Sequence, residues 1–460
     1  MQQPGDIVLV SCYEPGHQPQ GVASAVAFLR RAGFAPSCLD LAVEELDAAA
    51  ESRLAAARLV AISVPMHTAM ALGLRVAARV RAANRAAHVC FFGLYAVLNR
   101  QLLADVADSV LAPDAEEQLV SIASGGAAVL ASPGRRDDLV PARDGLPALE
   151  RYARLAIAGE RRVAGHAETT RGCKHMCRHC PIPPVYGGRF FAVPADVVLD
   201  DVRRQVAAGA RHIDFGDPDF LNGPSHGLRV ARALHAEHPS VTFSFTAKVE
   251  HIVAHEDVVR ELADLGALFV VSAVESLSDR VLAALAKGHL AADVGRALTI
   301  VRAARMSLRP TFVAFTPWTT LADYLDLCSF IRDNRLQDEV DPVQLSIRLL
   351  VPPGSLLLAA PDIAPYLGPL DPEALTYCWT HPDPRMDRLE ADVSALVEAA
   401  AEAGAPAADT FARIHRLAAT VAGIDLPVDK PRLRLSAAPP HLTEPWFCCA
   451  QPTRRQLRAV

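Results

Sequence analysis

The chain lacks any apolar run approaching the roughly 20 residues that span a bilayer, so its 51% hydrophobic content is read as globular core. Its opening stretch, MQQPGDIVLVSCYE, lacks the basic segment of a secretory leader, and the apolar run behind it is short and strand-like. A basic excess is missing as well. The formal net charge is −6 with lysine and arginine scattered, which argues against a nucleic-acid surface. These absences lead to the expectation of a cytoplasmic protein with neither a membrane nor a nucleic-acid partner. Ten cysteines in a reducing compartment then serve as thiols, metal ligands or redox groups rather than as a disulfide framework. No solenoid-type repeat is present.

What is present is a strand–helix rhythm. At 460 residues the chain is long for one core and suggests two or three domains. Residues 1–131 alternate apolar strands (DIVLVSCY, RLVAISV, HVCFFG, DSVLAP) with helical stretches, among them QGVASAVAFLRRAG with Val22, Val26 and Leu29 on one face. That pattern predicts an α/β, doubly wound parallel sheet. The polar stretch SPGRRDDLVPARDGLP begins a linker over 132–160. Residues 161–350 carry six longer units, with strands expected at GHAETT, RHIDFGD, VTFSFTA, LFVVSAVE, RPTFVAF and VQLSIRLL. Six units predict a partial β/α, TIM-like barrel, whose chemistry sits at the C-terminal ends of its strands. Residues 351–460 form an extension with Pro-rich segments, helical stretches and a terminal Cys-Cys tail.

The notable residues fall at those strand ends. RGCKHMCRHCPIP places Cys173, Cys177 and Cys180 in a C-x3-C-x2-C array directly after the first barrel strand, with no fourth cysteine in reach. Three thiolates can hold three irons of a [4Fe–4S] cluster and leave the fourth to another ligand. A zinc knuckle closed by His175, His179 or a distant residue is the other reading. The array resembles that of the radical S-adenosylmethionine (SAM) superfamily, over about residues 160–350. That resemblance implies that the amino and carboxylate groups of SAM chelate the open iron. His179 stands where the superfamily usually has an aromatic residue. The resemblance also implies SAM contacts from Gly216 and Asp217, where the usual residue is glutamate, and from Glu275 and Ser276 in AVESLSDRVLAALAKG. Lys248, Arg309 and Arg348 are further candidates, since a buried charge needs a partner and an arginine can grip a carboxylate with two bonds.

A doubly wound domain before such a barrel is similar to the cobalamin-binding arrangement. The lower-ligand signature D-x-H-x-x-G is absent, however, so cobalamin is the less expected cofactor. Cys12, in SCYEPGHQP, ends a strand where open α/β sheets bind ligands, and packing as a small thiol is its plainer use. The tail reads EPWFCCAQPT. Adjacent thiols at Cys448 and Cys449 suit a soft, thiophilic centre; buried packing or a vicinal disulfide are the bland alternatives. This tail resembles that of the CCAEP-tail (or selenocysteine CUAEP-tail) radical SAM proteins, a group that includes the enzyme of arsinothricin biosynthesis. The likeness extends through SCYEPGHQP, RGCKHMCRHCPIP, FGDPDFLN and RLLVPPGS, with Gln451 in place of the tail glutamate.

The resemblance implies a transferase. SAM would break on its methionine side, and the 3-amino-3-carboxypropyl radical would be captured by arsenite held on Cys448 and Cys449, with Cys12 as a third thiol. It further implies a flavodoxin- or ferredoxin-type electron donor. Two rivals stand beside it: a cobalamin-dependent methylase or other 5′-deoxyadenosyl-radical enzyme, and an iron–sulfur metalloid sensor without turnover.

Overall fold

The computed structural model describes residues 1, 3–128, 132–425, 438–444 and 452–460. The first apolar runs pair in parallel as β1 (Ile7–Ser11), β2 (Ser37–Asp40), β3 (Leu59–Ser63), β4 (His88–Phe92) and β5 (Ser109–Leu111), in the order β2-β1-β3-β4-β5. Every residue of β1 and β3 is buried, as parallel strands covered on both faces require. Alternate residues serve alternate faces. Val8, Val10, Val60 and Ile62 join one apolar cluster, while Ile7, Leu9, Leu59 and Ala61 join another beneath the helix Gln20–Arg31. The strand order reverses between β1 and β3, so their C-terminal ends open the crevice in which doubly wound sheets bind ligands.

The second sheet begins with an antiparallel hairpin, β6 (Arg154–Ile157) and β7 (Glu160–Ala167). Part of the 132–160 stretch expected as linker is therefore strand. A small hairpin follows, β8 (Thr170–Gly172) with β9 (Phe190–Ala192). The parallel strands then continue as β10 (His212–Phe215), β11 (Thr242–Thr246), β12 (Ala267–Glu275) and β13 (Ser307–Phe312). The extension adds the hairpin β14 (Leu367–Asp371) and β15 (Thr376–Trp379), and a two-residue strand β16 (His441–Leu442). The sheet order is β13-β12-β11-β10-β7-β6-β16. The fold is thus α/β throughout, a doubly wound domain followed by a partial barrel.

The expected sixth strand, VQLSIRLL, is not formed. Pro342–Leu345 is a 3-10 turn, and the run keeps one parallel bridge, Phe315 to Arg348. Pro342 has no N–H for a ladder, and Arg348 is drawn aside by the extension, as described below. Two extension helices, Pro384–Glu402 and Ala407–Ala422, bury Leu389, Val393, Phe411 and Ile414 in the barrel core. A last helix, Arg454–Ala459, packs Leu457 and Val460 against the N-terminal core. Among the described residues no helix is long and apolar enough to cross a membrane.

Candidate active site

The three cluster-type cysteines sit in the loop between β8 and β9, held upright at the C-terminal end of the barrel. Gly172, at φ 78°, makes the turn into Cys173; a Cβ there would lie 2.5 Å from the Arg189 carbonyl and the Tyr186 ring. Cys173 and Cys177 are buried and Cys180 is half-buried, and all three are free thiols. Cys173 Sγ lies 3.8 Å from Asn222 Oδ1. The Arg178 N–H donates to the Leu285 carbonyl at 2.9 Å, and Ser355 Oγ donates to the Arg178 carbonyl at 3.3 Å. The loop is therefore tied both to the segment after β12 and to the extension. Burial pushes the Cys173 thiol up and the Cys180 thiol up to about 12. A metal cation is what turns such thiols into thiolates. Three free, converging thiols on one loop fit three corners of a [4Fe–4S] cluster.

Glu275 ends β12 beside them, in the left-handed region at φ 68°. Its Oε1 is 3.2 Å from Lys287 Nζ and 3.1 Å from His179 Nε2. Burial alone would raise this carboxyl, but the Lys287 ammonium and His179 bring it down to about 2. Lys287 is itself buried, and its charge is held by Glu275 with Cys177 and Cys180 close by. His179, in the place of the usual aromatic, is thus a Glu275 partner. Lys287 was missed by sequence reasoning, because nothing in LAKGH distinguishes it from a surface lysine; only the return of the chain after β12 brings it to Glu275.

The other expected SAM contacts divide. Gly216 is needed for space, since a Cβ would lie 2.0 Å from the His166 ring. Asp217 is buried and engaged by the chain itself: it accepts from the Thr169 N–H at 3.0 Å, Thr169 Oγ1 at 2.7 Å and Thr170 Oγ1 at 2.5 Å. Ser276 Oγ accepts from the Ser278 N–H at 3.1 Å. Lys248 is buried with its Nζ 3.3 Å from Glu250 Oε1, so its three donors are not exhausted. The two arginines go elsewhere. Arg309 pairs with Asp341 at 2.7 Å. Arg348 stacks 3.5 Å over the Trp379 ring, pairs with Asp387 at 2.9 Å and donates to the Trp379 carbonyl at 2.7 Å. Both guanidiniums have carboxylate partners of their own.

Two cavities meet at Glu14, and the first of them adjoins the cysteine loop. The first, about 270 Å³, lies between the C-terminal edges of the two sheets and is lined by Ser63 and Gly93 on one side and Gly172, Glu168 and Gly216 on the other. Arg136, from the coil after residue 132, is drawn to its wall and pairs with Glu116, with Asp138 at 2.8 Å and with Asp114 at 3.6 Å. The second cavity, about 860 Å³, is lined by Cys12, Glu44, Glu402, Glu444 and Thr453. Glu14 lines both. Cys12 is buried, and burial with the nearby Asp40 pushes its thiol far up. Cys448 and Cys449 lie outside the described residues; Glu444 and Thr453 flank their stretch on either side.

Residues 167–327 match the Radical SAM superfamily. On that match, with the cysteine loop where it stands, the chain carries a radical SAM domain. Two curated relatives are the tRNA-2-methylthio-N(6)-dimethylallyladenosine synthases of Shewanella baltica strains OS185 and OS195, each 23% identical over 212 residues, 43% of this chain and 44% of theirs. The chain thus aligns with less than half the length of those relatives. Among solved structures, the cobalamin-dependent SAM radical enzyme OxsB with aqua-cobalamin and SAM bound superposes with a TM-score of 0.66 at 14% identity, covering 86% of this chain and 66% of that one. The radical SAM methyltransferase TsrM from Kitasatospora setae, with cobalamin and a [4Fe–4S] cluster bound, gives 0.57 at 16% identity, covering 72% and 71%. These likenesses show the fold. They lend no support to the expectation that cobalamin is the less expected cofactor.

Proposed function

We propose that the protein is a radical SAM transferase that moves a 3-amino-3-carboxypropyl group from SAM to arsenite, forming a carbon–arsenic bond. The observation that carries this reading is the shared cavity: Cys12 and both flanks of the Cys448–Cys449 stretch line one space, and Glu14 joins it to the crevice beside Gly172. When bound, the cluster would supply the one-electron chemistry that opens the sulfonium of SAM. The net change is balanced: SAM and arsenous acid give methylthioadenosine, the alkylarsonic acid and a proton, with arsenic oxidised from the trivalent to the pentavalent state as the sulfonium is reduced to a thioether.

The chain's own part is binding and exclusion of water. Cys173, Cys177 and Cys180 hold the cluster, and Lys248 offers donors to the SAM carboxylate. Glu275, Lys287 and His179 form a neutralised wall beside the thiols. Cys448 and Cys449 present arsenite, with Cys12 completing three sulfurs, and a flavodoxin- or ferredoxin-type protein delivers the electron. The test is the Cys448→Ser, Cys449→Ser protein, assayed anaerobically with dithionite, SAM and arsenite. It should keep four irons and release nucleoside while losing arsenite binding and the organoarsenical. Normal organoarsenical yield from it would overturn the reading.

A cobalamin-dependent reaction is the second reading, favoured by the two-domain likeness to the cobalamin-bound enzymes. The 270 Å³ crevice sits at the small end of ligand sites, so a corrin ring would require the Arg136 segment to withdraw. A corrin absorption band retained after gel filtration of protein mixed with cobalamin would favour this reading, and 5′-deoxyadenosine rather than methylthioadenosine as the nucleoside would exclude the carboxypropyl transfer.

A further inference from the structure

Beside the cysteine loop, and not used in the function above, three side chains from three consecutive strand-end segments converge. His175 comes from the loop itself. Asp219 follows β10 and caps a short 3-10 turn, accepting the Leu221 N–H on Oδ1 at 3.0 Å. His251 stands on the helix Val249–Ala254 after β11. His175 Nε2 lies 3.3 Å from His251 Nε2 and 3.7 Å from Asp219 Oδ2. One nitrogen from each ring and Asp219 Oδ2 all fall within 4.8 Å of one another.

The hydrogen bonding is incomplete in a telling way. Asp219 is wholly buried and His251 nearly so. Asp219 Oδ2 and His251 Nδ1 are 2.6 Å apart, yet neither atom makes a hydrogen bond. An unmade bond at a buried carboxylate oxygen is costly, so such an atom points to a ligand. His175 Nε2 and Asp219 Oδ2, 3.7 Å apart, can both reach one cation through metal–ligand bonds of about 2.0–2.2 Å. Finally, His175 turns its other nitrogen, Nδ1, to Glu250 Oε1 at 3.0 Å. A carboxylate behind a histidine is how metal-bound imidazoles are fixed in tautomer and orientation.

We propose that His175, Asp219 and His251 form a divalent-cation site of the zinc class, separate from the iron–sulfur cluster, with Glu250 as the outer partner of His175. The three residues supply two imidazoles and one carboxylate, leaving a fourth position for water or a substrate oxygen. Because His175 lies between Cys173 and Cys177, the cation clamps the cysteine loop to the ends of β10 and β11.

The test uses the anaerobically reconstituted, cluster-loaded protein dialysed against zinc, with metals counted by elemental mass spectrometry and zinc ligation read by X-ray absorption. One zinc per chain beside four irons is expected, with nitrogen and oxygen neighbours alone. His175→Gln and His251→Gln should each weaken zinc by more than about 100-fold while retaining the irons; Glu250→Gln, which touches no cluster cysteine, should weaken it by about 10–100-fold and stands in if a histidine variant fails to fold. Absence of stoichiometric zinc, sulfur neighbours around it, or unchanged affinity in the variants that fold would overturn the site.

Discussion

Around the central crevice, the C-terminal edge of β1–β5 and the C-terminal edge of the barrel strands handle buried charge differently. On the N-terminal side Asp114, Glu116 and Asp138 meet Arg136, and Arg171 reaches Asp114 at 2.6 Å from the barrel. Three carboxylates are shared there between two guanidiniums of the chain. On the barrel side the thiols of Cys173, Cys177 and Cys180 face one buried ammonium, Lys287, which Glu275 already claims. Negative charge there can develop only if a cation from outside supplies the balance. The first edge is complete as a polypeptide; the second is complete only with metal.

That contrast can be broken most severely at the thiols. Cys173→Ala, Cys177→Ala or Cys180→Ala should each abolish iron loading and SAM cleavage, measured by iron content and nucleoside release; four irons with full turnover in any one would end the cluster assignment. At the other edge, Arg136→Ala leaves buried carboxylates facing one another and should destabilise the protein by roughly 3–5 kcal/mol while cluster loading survives, as denaturant unfolding and iron analysis would report. A smaller effect tests Arg348. Arg348→Lys keeps the charge but loses the stack on Trp379 and the planar fork, so stability should fall by about 1–2 kcal/mol with the SAM dissociation constant unmoved.

An effect of similar size concerns pH. Asp40 accepts from Tyr152 OH at 2.6 Å, and burial lifts its carboxyl to about 6 despite that bond. The folded value lies above the unfolded one near 3.9. The stabilisation is therefore complete below about pH 4 and lost as pH rises through about 6. Asp40→Asn should flatten the stability profile over that window by on the order of 1–3 kcal/mol, with melting curves at several pH values as the measurement.

Much of this was legible in advance where the signal is local. The buried strands β1, β3, β4 and β5 are short apolar runs, and the cysteine loop is one contiguous motif. β2 escaped because SCLD carries no apolar period, β6 because its short run RLAI lies in the stretch read as linker, and β16 because it gains its partner from elsewhere in the chain. Lys287 and the His175–Asp219–His251 group share that cause. Each residue is ordinary in its own segment, and only the return of successive strands to one edge brings them within 4 Å. Arg348 was expected on a late strand that keeps only one bridge, and Asp387 and Trp379, which pair with it, come from the extension.

The edge strand β6 has a consequence in time. Its outer side is covered by β16, where the Arg154 N–H also donates to Thr443 Oγ1 across 289 positions of sequence. Closing so long a loop is slow relative to the local pairings of the barrel. During synthesis β6 waits as an unpaired edge, open to strand addition from another chain, until residues 441–443 emerge. The laying of this two-residue strap is then a late step of folding, and chains interrupted before it should be the ones that aggregate.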